Sequence, residues 1–450
     1  MPRTVKLKKG YDIRLEGTAE KKLAGTVSPA LYGVKPIDFP GLVPVLEISP
    51  GDAVDAGTTL FHDKARPEVK FTSPVSGKVV SVNRGERRQI MEIVIESEGS
   101  RFCEFGKSDP LGLTDIKVKE KILQSGLWPS IRQRPYHVIA NPGDSPKSIF
   151  ISGFDTAPLA PDYDFIVENS SVSWLRTGVK ALSRLTTGKI NLSLKAGVDG
   201  NQILETLDNV ALTYFSGPHP SGNVGVQIHH VDPVNKGETV WYINLQDVIA
   251  LGRLFDEGIY RPERVVALTG SEVIAPQYYR MISGGSLIPL VEGKVKKGKL
   301  RYISGNVLTG RKTEPDGFLG FYDSQVTVIP EGDYSEFFGW AAPGAGKLSF
   351  SRTFLSSLFP KKIFKPDTNL HGGERAFVVT GLYEKVVPMD IYPMHLFKAI
   401  LAEDIDMMEN LGIYEVAEED FALCEFVCPS KIEIQSIVRK GLDLMRNEMS

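Results

Sequence analysis

Residues 51–85 read GDAVDAGTTLFHDKARPEVKFTSPVSGKVVSVNRG, and their punctuation decides the fold of the first part of the chain. Gly51-Asp52 and Gly57 bracket one short apolar–polar alternation, and Pro74 and Gly77 flank a second, SPVSGKVVSV. Glycine at such points supplies the positive φ that a tight strand reversal needs. Short strands separated by turn residues predict a small sandwich. Working outward, residues 1–100 read as short strands and turns that end in the alternating IMEIVIES, Ile90 to Ser97.

This rhythm resembles a biotinyl/lipoyl-like barrel-sandwich domain. Carrier domains of that type present a lysine at a hairpin tip, often within Asp-Lys-Ala, and Asp63-Lys64-Ala65 stands near that place. A solvated loop lysine is the reading favoured for Lys64. The tip is expected to be longer than a two-residue turn, with Arg66-Pro67-Glu68 ahead of the return strand and Pro67 stiffening a different hairpin.

A chain of 450 residues predicts about three domains. Its 42% hydrophobic and 24% charged residues are those of a globular protein. A net charge of -3 gives no electrostatic footprint for nucleic acid. No apolar run of about 18 residues occurs, so no transmembrane segment is expected. The basic start MPRTVKLKKGYDIRL lacks the apolar stretch of a secretory signal. Three cysteines, Cys103, Cys424 and Cys428, argue for a reducing compartment without a disulfide framework.

A linker with helical tendency is expected over 101–135. Residues 136–270 alternate strand-like and helix-like runs: IFISGF, SSVSWLRTGVKALSRLT, KINLSLKAG, NQILETLDN, VALTYFSG, LQDVIALGRLFDEG and ERVVALTG. That order predicts a Rossmann-like α/β domain with parallel strands. Short glycine-rich strands over 271–335 predict a β-grasp-like (SLBB-type) module, and 336–450 read as a helical C-terminal domain. The fold class is therefore α/β multidomain.

Few motifs carry chemistry. No G-x-G-x-x-G follows a strand. Pro343-Gly344-Ala345-Gly346-Lys347 imitates a P-loop, but Ala341 replaces its first glycine and Leu348 its magnesium-binding hydroxyl. Cys424 and Cys428-Pro429 resemble the end of an iron–sulfur motif, yet a cubane cluster needs four thiolates, and buried unliganded thiols are the better reading. His219 lies in a Gly/Pro-rich loop, while His229 and His230, in VQIHHVDPV, are expected on opposite faces of a strand. WPSIRQRPYH, Trp128 to His137, joins rings to guanidiniums and reads either as a cradle for a flat, polar-headed ligand or as an interdomain linker. Arg352 to Lys365 mixes aromatics and lysines without acids and reads as a surface for a membrane or a partner, or as a local patch under a loop, with the partner surface favoured.

Several long segments together resemble one family, the NqrA subunits of the sodium-translocating NADH:quinone reductases. They are VKFTSPVSGKVVSVNRG, SGLWPSIRQRPYHV, FSGPHPSGNVGVQIHHVDP, TVWYINLQDVIALGRLF, RVVALTGSEV, YISGNVLTG and CEFVCPSK, and they run through nearly the whole chain. A fainter similarity links it to the C subunit of the Rnf complex and to the flavin-binding subunit of respiratory complex I. The glycine-rich FMN loop of those relatives corresponds here to Gly126-Leu127-Trp128-Pro129, whose bulky side chains would block a phosphate.

The resemblance implies a peripheral subunit on the cytoplasmic face of the bacterial inner membrane. Its complex oxidises NADH, reduces ubiquinone or menaquinone and exports sodium ions. The other five subunits would carry FMN, FAD, riboflavin, the iron–sulfur centre and the membrane spans. This chain would hold no tightly bound cofactor, perform no bond chemistry when isolated, and contribute to quinone binding. A quinone needs an apolar slot and one or two donors to its carbonyls. The candidates are Trp128, Arg132, Arg134, Tyr136 and His137, with Phe39, Pro40 and Leu42 closing the slot. Alanine at Arg134 is expected to weaken quinone binding without unfolding the protein. The alternative is a structural scaffold with quinone bound in the membrane subunits; a flavin-dependent module and a carrier through Lys64 are more remote readings.

Overall fold

The computed structural model describes residues 3–198, 200, 202–334, 343–359 and 361–449. The first sandwich is built from two sheets. One runs Leu31–Val34, Ile90–Ser97, Gly77–Arg84, Ala53–Val54; the other runs Pro44–Leu46, Thr59–Asp63, Arg66–Thr72. Val79, Ile93 and Ile95 of the first and Phe61, Val69 and Phe71 of the second share one core.

The lysine hairpin is tighter than the sequence suggests. Asp63 pairs with Arg66, so Lys64-Ala65 is a two-residue tip with Lys64 exposed. Pro67 is tolerated because Arg66–Thr72 is the edge strand of its sheet, where a missing N–H breaks no ladder bond. The tip is tethered: Arg66 Nη1 donates to the Ile139 carbonyl at 3.2 Å, and Lys64 N to Val43 O at 2.8 Å.

A seven-stranded sheet forms the α/β layer, in the order Arg3–Lys6, Ala211–Ser216, Lys189–Lys195, Ser148–Ser152, Val240–Asn244, Ile131–Arg134, Val138–Ile139. The strands as far as Val240–Asn244 are mutually parallel; the last two add antiparallel. The stretch read as a linker thus supplies the helix Asp115–Ser125 and the strand Ile131–Arg134, while Arg3–Lys6 leaves the first sandwich to close the far edge. From Ser148–Ser152 the chain adds two strands on one side, then Val240–Asn244 on the other. That reversal opens a crevice at the carboxyl ends of the two central strands.

The VQIHHV of VQIHHVDPV belongs to a helix, Val224–Val231, where the sequence predicts a strand. Its β-branched residues suggest a strand, but Val224, Ile228 and Val231 recur at helical spacing and pack with Phe150 and Tyr242. Both histidines therefore reach the C-terminal region. His229 Nδ1 lies 2.5 Å from Glu415 Oε2, and His230 Nε2 donates to Pro388 O at 2.8 Å.

The β-grasp-like sheet runs Arg311–Thr313, Leu300–Ser304, Gln325–Pro330, Glu263–Thr269, Gln277–Ile282, Leu23–Thr26. It takes in ERVVALTG, which the alternation assigned to the α/β layer. The C-terminal region is helical. Ile434, Val438, Leu442 and Met445 make one buried stripe on the helix Ile434–Glu448. Cys424 and Cys428 are buried in this core, where Tyr383 donates to Cys428 Sγ at 3.0 Å. Gly344 to Lys347 form a turn closed by Lys347 N to Gly344 O at 3.0 Å. Ala341, of the P-loop comparison, and Pro360, of the basic stretch, lie outside the described residues. No helix among the described residues is long and apolar enough to cross a membrane.

Candidate functional site

A cavity of about 350 Å³ opens at the crevice, with Ser152 and Asn244, the carboxyl-terminal residues of the two central strands, in its wall. The first sandwich domain contributes Pro40, the turn ahead of the strand Gln325–Pro330 contributes Phe321 and Tyr322, and the C-terminal region Glu418 and Glu419. Asn244 sits there because it ends a strand and caps the helix Leu245–Glu257: its Oδ1 accepts from Gln246 N at 2.9 Å and its Nδ2 donates to Tyr163 Oη at 3.2 Å.

The sequence candidates divide. Pro40, Arg132 and His137 line the cavity. Trp128 does not. It is fully buried, its Nε1 donates to Ala140 O at 2.8 Å, and it meets Trp241 edge-on at 5.4 Å. Phe39 is buried behind the wall, against Phe71, Phe321 and Tyr322 at 4.6–5.8 Å. Leu42 packs on the first core. Tyr136 turns to the C-terminal region, edge-on to Tyr414 at 6.3 Å. Arg134 is fully buried, with Glu419 at 3.2 Å and Asp420 at 3.3 Å.

Arg132 and His137 form a chain with Glu418. Arg132 Nη1 donates to His137 Nε2 at 2.9 Å, and His137 Nδ1 lies 2.9 Å from Glu418 Oε2. A guanidinium has no acceptor, so Nε2 accepts and the ring proton sits on Nδ1, pointing at the carboxylate. Burial pushes the His137 pKa down, against the pull of Glu418, so the ring is neutral. Burial opposes charge on Glu418 too, but the bond from His137 and the Arg439 guanidinium hold its carboxyl well below the usual range. Arg132 lies between the rings of Tyr242 and Tyr322, 4.7 and 4.3 Å from their centroids.

Tyr242 is the residue sequence reasoning missed. It lies under the two guanidiniums and lines the cavity, and its buried hydroxyl finds no hydrogen-bond partner among the described residues. Burial raises its pKa to about 12, so the hydroxyl keeps its proton. The available signal was its position two residues before the end of a strand that feeds a helix. His219 also lines the wall, its Nδ1 3.1 Å from Thr156 Oγ1, with a pKa lowered by burial to about 4. Burial raises the wall carboxyls Asp155 and Asp323. Asp323 Oδ2 accepts from Ser304 Oγ at 2.6 Å. The backbone at Gly320 runs so close that an added Cβ would fall 2.2 Å from the same oxygen. Among the described residues no cluster of His, Cys, Asp and Glu is placed to hold a metal ion.

Three family descriptions match the chain: the NqrA N-terminal barrel-sandwich hybrid domain over 5–98, the NqrA second alpha/beta domain over 113–260, and the NQRA C-terminal domain over 265–314. The corresponding subunit of the Na(+)-translocating NADH-quinone reductase of Yersinia pseudotuberculosis is 41% identical over 452 residues, covering 99% of this chain and 100% of that one. This chain belongs to the NqrA family. Counterparts of the same name from Neisseria meningitidis and Hahella chejuensis are each 40% identical, over 99% of this chain and all of theirs. The barrel-sandwich, α/β and SLBB-type units expected from the sequence are the units of this family.

Elsewhere, the basic stretch leaves Leu358, Phe359 and Ile363 more than 60% exposed, while Lys365 is held by Glu272 at 2.6 Å.

Proposed function

We propose that this NqrA-family chain is a peripheral subunit, on the cytoplasmic face of the bacterial inner membrane, of a sodium-pumping NADH:quinone oxidoreductase, and that it contributes a quinone headgroup site at the crevice. The observation that carries this reading is Tyr242, a residue of the wall of a cavity of ligand size whose buried, protonated hydroxyl has no hydrogen-bond partner among the described residues. Phe154, Phe321 and Tyr322 supply flat apolar surface around it. Tyr242 donates to one quinone carbonyl, and the raised carboxyls of Asp155 and Asp323 are groups able to hold a proton near reduced quinone. The flavins, the iron–sulfur centre and the sodium path belong to the other five subunits, and the exposed side chains of Leu358, Phe359 and Ile363 face them.

The test is titration of the full chain with a short-tailed ubiquinone. Tyr242→Phe removes only the donor, so affinity falls about tenfold while the unfolding midpoint holds. Equal affinity in the two proteins removes Tyr242 from the site. A second reading, a scaffold with quinone bound wholly in membrane partners, is favoured by Trp128 and Arg134, which serve packing and the C-terminal ion pairs.

A further inference from the structure

A second cavity of about 310 Å³ shares no residue with the first. It lies among the start of the helix Val172–Ser183, the helix Leu245–Glu257 and the strands Glu263–Thr269 and Gln277–Ile282. Arg253, Arg261, Arg264 and Arg280 line it with one carboxylate, Glu263. Arg280, Arg261 and Arg253 share that carboxylate at 3.5, 3.6 and 3.9 Å. All three distances exceed the roughly 2.7–2.9 Å of a charge-assisted hydrogen bond. Arg253, Arg264 and Arg280 have closer partners in Glu257, Asp247 and the Asn169 carbonyl, at 2.7, 2.6 and 2.6 Å; neither acid lines the cavity, and Asn169 does.

Two further features point to an anion. Arg264 is 4% exposed and turns its Nη2 to Asp247 Oδ1 and to the Phe321 carbonyl, at 2.6 and 2.9 Å, while the Nε of Arg261 finds no hydrogen-bond partner among the described residues. The helix Val172–Ser183 also begins at this cavity, with Ser171 at its N-cap making no side-chain capping bond and no acid in its first turn. Its leading N–H groups and dipole favour negative charge. Asp256, which accepts from Ser173 and Thr177, sits on the flank of that helix without lining the cavity.

We infer that this cavity binds a phosphate-bearing anion. Planar guanidinium forks match phosphate oxygens, and an uncapped helix start adds backbone donors to them. A soluble organic phosphate and a phospholipid headgroup offer the same chemistry. The inference is independent of the quinone reading.

Calorimetry of the full chain with inorganic pyrophosphate, beside flotation with phosphatidylcholine vesicles containing phosphatidylglycerol, tests it. Arg261→Gln, at a half-exposed side chain, is expected to bind about tenfold more weakly, and Glu263→Gln to bind more tightly. A gain in affinity cannot come from misfolding. Pyrophosphate binding alone that follows this pattern assigns a soluble phosphate; vesicle binding that follows it assigns a lipid headgroup. Absence of both, or binding indifferent to both substitutions, overturns the inference.

Discussion

Arg134 is sealed from solvent with its guanidinium against Glu419 and Asp420, and that arrangement sets what its removal does. Arg134→Ala leaves the buried Asp420 carboxylate, and the partly exposed Glu419 at the cavity wall, without their cation, and stranding the buried charge costs about 3–5 kcal/mol. The expected outcome is a large drop in the urea midpoint, in place of the stable, weak-binding variant that the sequence suggested. His219 makes a pH prediction. An unfolded chain protonates this imidazole below about pH 6.5, the folded one only near 4. Stability present above pH 6.5 is therefore lost as pH falls toward 4, by roughly 3 kcal/mol at most. Asp420 runs the other way: burial raises its pKa to about 6, so its contribution declines as pH rises from 3.8 to about 6. Comparing wild type with His219→Gln cancels the Asp420 effect, and the variant should show the flatter acid limb in chemical denaturation. Residue types that could meet a ligand were visible in WPSIRQRPYH. Which of them reach the cavity was not, because that depends on Tyr242, Tyr322 and Glu418, which are remote in sequence.

Among the elements, the helices Val172–Ser183 and Leu245–Glu257 touch backbone to backbone. A Cβ at Gly252 would lie 1.6 Å from the Trp174 carbonyl oxygen, and one at Gly178 2.0 Å from that of Val248. Gly252→Ala forces the pair apart, and a loss of about 1–3 kcal/mol or more is expected in thermal unfolding. A glycine inside a helix reads in sequence only as a propensity penalty; its packing reason appears once the neighbouring helix is in place. Helix and strand periods were legible wherever a run was long, as in LQDVIALGRLFDEG and KINLSLKAG. They misled at VQIHHVDPV, where β-branched residues at helical spacing belong to a helix of eight residues. Pro67 misled for a related reason: edge position, which rescues a strand proline, is a property of the sheet and not of the run.

At the scale of the whole molecule, the units were readable but their interleaving was not. Arg3–Lys6 and Leu23–Thr26 leave the first unit to complete the edges of two other sheets, through pairings about 210 and 255 residues away in sequence. The cavity is a product of that interleaving, since the first sandwich, both larger sheets and the C-terminal region each supply part of its wall. Thr309, exposed at the cavity, offers a way to close it without disturbing a core. The most direct test is calorimetric titration of the full chain with a short-tailed ubiquinone, wild type beside Thr309→Trp. The quinone account predicts saturable binding in the wild type and none in the plugged variant, with equal unfolding midpoints. Absence of saturable binding in the wild type, or equal binding in both, would contradict it and leave the chain a scaffold.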